Sequence, residues 1–139
     1  MRIGVLVPLT ENIEEEFKKV YDYGMDCCQL CRWGSDIFTS EMAERIVKAS
    51  EKYGVEVTAL WCGWEGPAKW NFYEGPLTLG LVPPEYRFQR MQTLMKGSDF
   101  AKMINVKQMI THVGYIPEVP VTVEYNGLVN AVRAVANKC

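Results

Sequence analysis

The sequence has a single histidine, His112, and its five cysteines (Cys27, Cys28, Cys31, Cys62 and Cys139) are odd in number. Three of them sit as CC-x-x-C in an apolar run that reads as a strand, where Cys27 and Cys31 point one way and Cys28 the other. One strand cannot wrap three thiolates around zinc, and no second cysteine pair exists, so these thiols read as core packing. Long hydrophobic runs are also missing. The longest at the N-terminus, Ile3 to Leu9, is too short to span a membrane and is not followed by a cleavage region. Without an export signal the thiols are expected to stay reduced and the chain to be cytoplasmic. There is no excess of basic charge: 15 Lys and Arg against 17 Asp and Glu leave a net charge of −2. That argues against a nucleic-acid binder driven by phosphate attraction. Neither nucleic acid nor a membrane is expected as a partner. Finally, the first strand runs into Val7-Pro8-Leu9-Thr10 and not into a GxGxxG loop, which disfavours a dinucleotide-binding fold.

What remains is an ordinary globular composition, 48% apolar and 23% charged over 139 residues, read as one domain over 1–139. Arg2 to Leu9 is a β-branched apolar run that fits a buried parallel strand. Glu11 to Tyr23 reads as a helix with Ile13, Phe17, Val20 and Tyr21 on one stripe and Gly24 as its stop. Met25 to Trp33 is a second strand, closed by Gly34-Ser35-Asp36. A second helix, capped by Ser40, turns Met42, Ile46 and Val47 inward and ends at Gly54. Val55 to Trp61 is the third strand. Cys62 to Pro84 is then a long connection dense in glycine, proline and aromatics, and loops of that length are usually functional or disordered. A helix from Glu85 to Ile104, a strand from Val106 to His112 and a helix from Tyr125 to Asn137 complete the pattern. Glu118 to Val123 alternates Pro and Val and reads as an extended loop or short strand. Strand–helix alternation without a hairpin signal implies parallel pairing and right-handed crossovers.

Several segments together resemble the xylose-isomerase-like superfamily of TIM barrels, which includes sugar-phosphate isomerases and epimerases. They are Arg2-Ile-Gly-Val, Leu60-Trp61 with Gly63-Trp64, and above all Asn71-Phe72-Tyr73-Glu74-Gly75-Pro76 running on to Gly80-Leu81-Val82-Pro83-Pro84-Glu85-Tyr86-Arg87. Thr111-His112-Val113-Gly114 adds the end of a fourth strand. The resemblance implies an α/β fold of four βα units, the N-terminal half of a (β/α)8 barrel, whose complete form runs to about 250 residues. It also implies proton transfer next to a carbonyl of a small sugar or polyol. In such families a divalent metal (Mn2+, Zn2+ or Mg2+) polarises the substrate oxygens while paired glutamates act as acid and base. The metal ligands of that family lie at the ends of strands five to eight, so none is carried over onto this chain.

The candidate substrate-binding residues are His112, Trp61, Trp64, Glu74 and Arg32. His112 falls where the fourth strand reaches the face that carries barrel active sites. Its functional reading is a substrate contact; its plainer reading is a histidine hydrogen-bonded at a strand end. Trp61, Trp64, Trp70, Phe72 and Tyr73 offer rings against the C–H faces of a sugar, or pack the long loop as a small core of its own. Glu65 and Glu74 are polar contacts or solvated loop carboxylates. Arg32 can grip a phosphate or carboxylate bidentately, or serve as a surface group. Arg87 and Arg90 read as ion-pairing surface residues. A half-barrel has two unpaired sheet edges, which drive association. The chain is therefore expected to be a homodimer, two copies closing one eight-stranded barrel about a two-fold axis. The alternative to an enzyme is a non-catalytic or engineered half-barrel module that self-associates, because strands one, two and four end in Val7-Pro8, Arg32-Trp33 and His112 without a carboxylate pair.

Overall fold

A computed structural model describes residues 2–139. Four strands form one parallel sheet in the order β1-β2-β3-β4, with β1 at Val5–Pro8, β2 at Cys27–Arg32, β3 at Glu56–Cys62 and β4 at Met109–Ile110. The helices are α1 (Ile13–Asp22), α2 (Ser40–Tyr53), a short α3 (Gly75–Thr78), α4 (Pro84–Met103) and α5 (Val123–Lys138). Sequential parallel strands joined by right-handed crossovers must place every helix on the same side of the sheet. Accordingly α1 packs on α2, α2 on α4, and α4 on α5, as one continuous outer layer.

Strand alternation divides the sheet residues between its two faces. Val7, Cys28, Leu30, Leu60 and Cys62 point at the helices and join Ile13, Phe17, Ile46, Leu94 and Phe100 in the core. Burial pushes the Cys28 and Cys62 thiols up to about 12, so they pack as inert small hydrophobes. The opposite face is open: Leu6 is 58% exposed and Ile110 43%. Two glycines set close approaches. A Cβ at Gly97 would lie 2.5 Å from Cys62 Sγ, so its absence lets α4 settle onto β3. A Cβ at Gly80, whose φ is +71°, would collide with the Val113 backbone at 2.0 Å.

Several expectations need correction. The cap of α2 is Thr39, not Ser40: its hydroxyl accepts from the Met42 N–H at 3.1 Å. Tyr21 is 57% exposed and leaves the α1 stripe. The fourth strand is two residues long instead of seven. Beyond Ile110 the chain is drawn off β3, because the His112 carbonyl accepts from Trp64 Nε1 and the Val113 carbonyl from the Leu81 N–H at 2.9 Å. Glu118 to Val123 forms turns leading into α5, with Thr122 as its cap, and no strand. Among the described residues no helix is long and apolar enough to cross a membrane.

The first two units are tied by Arg45 of α2. It donates to both Glu14 carboxylate oxygens, at 2.8 and 2.7 Å, and to the Glu11 carbonyl at 2.5 Å. The guanidinium bond holds the Glu14 carboxyl below its ordinary value. A depressed folded-state pKa adds stability that is present above the unfolded carboxylate value and lost as pH falls through the folded one. Acid titration of wild type should therefore show a steeper loss of stability below about pH 4.5 than Arg45→Met. Parallel slopes in urea melts at pH 6 and pH 3 would show that the pair contributes nothing.

Candidate functional site

The long connection after β3 is organised around Arg90, a fully buried side chain of α4. The sequence reading of Arg90 as an ion-pairing surface group is overturned, because no carboxylate meets it. Its Nε donates to the Glu65 carbonyl at 3.1 Å, Nη1 to Gly80 at 2.7 Å and Nη2 to Pro67 at 2.9 Å. The guanidinium carbon lies 3.9 Å from the centre of the Trp64 ring and 4.7 Å from that of Tyr86. Burial pulls the Arg90 pKa down to about 10, still well above neutrality, so the group stays cationic. Arg87 behaves alike, donating to the Leu81 carbonyl at 2.7 Å and to that of Val82. One turn of α4 thus gathers five carbonyls of the connection. Nothing in the sequence pairs either arginine with a partner. The only legible signal is that Arg90 shares the stripe of Thr93, Leu94, Gly97 and Ala101, all buried.

On this pedestal stands an aromatic wall beyond the C-terminal ends of β2, β3 and β4. Trp64 is buried between Arg90 and Trp33, and its Nε1 donates to the His112 carbonyl at 3.0 Å. Trp33 is the centre of the group, edge-on to Trp61 at 4.7 Å, to Trp64 at 5.1 Å and to Trp70 at 6.2 Å. Trp70 in turn meets the His112 imidazole edge-on at 4.8 Å. Sequence reasoning treated Trp33 only as a strand end. The available signal was Gly63 across from it, where a Cβ would lie 2.5 Å from the Trp33 ring. The wall is open to solvent, since Trp33 is 41% and Trp70 59% exposed.

His112 uses Nδ1 as an acceptor for the Gly114 N–H at 3.1 Å. The proton of the neutral ring is therefore on Nε2. Among the described residues the one buried side-chain polar atom without a partner is Thr111 Oγ1. Nε2, which bonds to no protein group, accordingly keeps access to solvent. Glu65 is a strut: one carboxylate oxygen accepts from the N–H and hydroxyl of Ser35, both at 3.2 Å, and the other from the buried Thr93 hydroxyl.

Of the five candidates, the structure brings Trp61, Trp64 and His112 into this one wall. Arg32 ends β2 but turns its fork onto Asp36, at 2.5 and 3.2 Å, and holds the Asp36 carboxyl low. Glu74 is exposed at the start of α3, where it accepts from Asn71 Nδ2 at 3.0 Å. It belongs to the Asn71–Gly75 turn, against which the Tyr115 ring packs. The divalent metal implied by the resemblance finds no donor set here. Among the described residues no three His, Cys, Asp or Glu side chains converge to hold an ion.

No protein-family model and no curated protein matches the chain. Solved structures do. A xylose isomerase domain protein from Planctomyces limnophilus superposes with a TM-score of 0.86 at 23% identity, over 98% of this chain and 49% of its own. A D-psicose 3-epimerase crystallised in the presence of D-fructose gives a TM-score of 0.65 at 14% identity, over 99% and 48%. A 3-keto-D-glucoside 4-epimerase from E. coli gives 0.60 at 16% identity, over 99% and 52%. The chain spans about half the length of these structures. The likeness establishes the fold alone: four consecutive βα units with a parallel sheet, the half of a (β/α)8 barrel expected from the sequence.

Replacing Arg90 by methionine should strand the buried Gly80 carbonyl and the part-buried carbonyls of Glu65 and Pro67, and cost about 3 kcal/mol. Urea denaturation followed by tryptophan emission reads this directly. Arg90→Lys should recover only a minor part, since one ammonium cannot serve three divergent acceptors and stack on two rings. Wild-type stability in the methionine variant would show that the connection is held some other way.

Proposed function

We propose that this chain is the sugar-recognition half of a xylose-isomerase-like barrel, whose wall of Trp33, Trp61, Trp70 and His112 takes a small ketose or polyol. The observation that carries this reading is the pairing of exposed aromatic faces with a ring N–H donor on one surface. Sugars present apolar C–H faces flanked by hydroxyl oxygens, and such a surface answers both. Three of the structures that share the fold are sugar epimerases by name, and two of those were crystallised with D-fructose or D-tagatose. The wall occupies the strand ends on which barrel enzymes build their sites.

Proton transfer at a carbon next to a carbonyl, in the form that the family resemblance implies, uses a pair of carboxylates and a divalent metal. The present strand ends offer no free carboxylate pair: Glu65 bridges Ser35 and Thr93, and Asp36 pairs with Arg32. In this reading isomerase or epimerase chemistry draws its metal and its acid–base pair from strands outside these four. The same absence favours the second reading, a half-barrel module that binds without turning over.

We further infer a homodimer. β1 and β4 each have one unpaired edge, and all four strands run the same way. A two-fold axis along the barrel preserves that direction and joins β1 of each copy to β4 of the other. The β4 edge opens into a groove of about 940 Å3 between α4 and α5, lined by Leu94, Val106, Ile110 and Val132. Closure would cover it together with the open inner face.

Light scattering on a sizing column should give twice the chain mass of 15.9 kDa, and a stable monodisperse monomer would overturn the dimer. Titration with D-tagatose or D-fructose should quench or shift tryptophan emission saturably. Trp70→Ala should weaken binding about fivefold, the equivalent of ~1 kcal/mol for one stacking contact. No saturable response to either sugar would sink the recognition reading. Deuterium uptake into D-fructose in heavy water with Mn2+ separates enzyme from module: exchange by the purified chain would place the chemistry within it.

A further inference from the structure

We infer that Trp64 is a positioning residue that holds His112 as a fixed Nε2–H donor, and that the ligand atom it reads is a hydroxyl or carbonyl oxygen. The inference rests on the sugar-binding reading for its ligand but not for its geometry. Trp64 is immobilised on one face by the Arg90 guanidinium and meets Trp33 edge-on. Its one polar atom, Nε1, donates to the carbonyl of residue 112 itself. That bond draws the chain off the sheet just after β4, where Leu81 N–H takes the next carbonyl, that of Val113.

The backbone can then turn at Gly114, whose φ of +99° is a conformation that L side chains rarely adopt. The turn brings the Gly114 N–H back onto Nδ1 of His112. A Cβ at Gly114 would lie 2.3 Å from the Leu79 carbonyl oxygen, so the turn admits no other residue without moving the connection. Trp70 closes one side of the imidazole edge-on.

Three consequences follow for recognition. Nδ1 is occupied as an acceptor, so the ring presents to the wall a donor and no acceptor. A donor selects an oxygen lone pair and discriminates against a ligand group that can only donate, such as an ammonium. The specificity is set from α4, on which Arg90 sits, and not from the strand that carries the histidine.

His112 is the only histidine, so its ring nitrogens can be assigned without ambiguity in a long-range proton–nitrogen correlation spectrum. At alkaline pH the wild-type protein should show the Nε2–H tautomer alone, whether or not a sugar is bound. An averaged signal or the Nδ1–H form would overturn the proposal. Trp64→Phe keeps an aromatic ring over Arg90 and removes the N–H together with the five-membered ring that carries it. It should relax the signal toward the mixture of a free imidazole, and a spectrum that stays locked would remove Trp64 from the account.

Should that variant fail to fold, His112→Gln and His112→Asn decide on an unchanged pedestal. The Gln amide places its N–H near Nε2, whereas the Asn amide reaches only the Nδ1 position. D-tagatose affinity should survive in Gln within about threefold and fall about tenfold or more in Asn. The reverse order would overturn the donor role. A locked tautomer with no sugar response in wild type would instead refute the sugar reading alone.

Discussion

A buried guanidinium without a counter-ion is the constraint on which the rest of this structure depends. The connection from Cys62 to Pro84 carries little regular structure, only the single turn α3, so its backbone carbonyls have few partners of their own. Arg90 and Arg87 supply those partners from one helix face. The exchange suits arginine: a planar fork reaches three divergent acceptors while its faces stack on Trp64 and Tyr86. Removing a charge from water is costly, and attraction to a carboxylate does not offset it here. Carbonyl dipoles and ring quadrupoles do. Because no carboxylate is among these partners, acid does not weaken the arrangement in the way it would an ion pair.

From that cation outward each layer fixes the next. Arg90 seats Trp64, Trp64 holds the carbonyl of His112, and the divergence of residues 111–114 from β3 follows. Trp33 can then meet Trp61, Trp64 and Trp70 at once because Gly63 leaves room for its ring. Glu65 closes the arrangement from the other side, tying the loop after β2 to α4 through Ser35 and Thr93. The wall is thus built from three strand ends but its geometry is set by one helix.

The regular elements were legible because their signals are local. Apolar runs mark β1 to β3, with β-branched residues in β1 and β3 and cysteines in β2, and Gly24 and Gly54 stop α1 and α2 with positive φ. Misses came wherever a long-range bond overrode a local preference. Val106 to His112 has strand composition, yet β4 is confined to Met109–Ile110, and beyond it the bonds from Trp64 and Leu81 draw the chain off β3. Arg90 reads as a surface residue because carbonyl acceptors leave no trace in the sequence. Tyr21 fits the spacing of a buried stripe, but it meets α2 only at Tyr53, 6.0 Å between ring centres, and stays largely exposed. Of the site, the rings were visible as types and His112 by its place at a strand end. Their convergence on Trp33 was not, since nothing in residue order records which loop residues meet.

The wall and the barrel's closure rest on different interactions, and this separates two properties that are usually joined. Trp33, Trp64, Trp70 and His112 are held by bonds within the four units, through Arg90 and Glu65, and need no further strand to stand where they do. Leu6, Ile110 and the groove beside β4 are the opposite: their apolar surface is covered only by something beyond the sheet edges. On the proposed reading, closing the barrel would therefore not build the aromatic wall. It would change the wall's surroundings, excluding water from the concave side and strengthening each hydrogen bond made there. Under the proposed sugar-recognition reading, a half-barrel would keep the selectivity of its wall and gain affinity on closure, with the acid–base groups supplied from outside the wall.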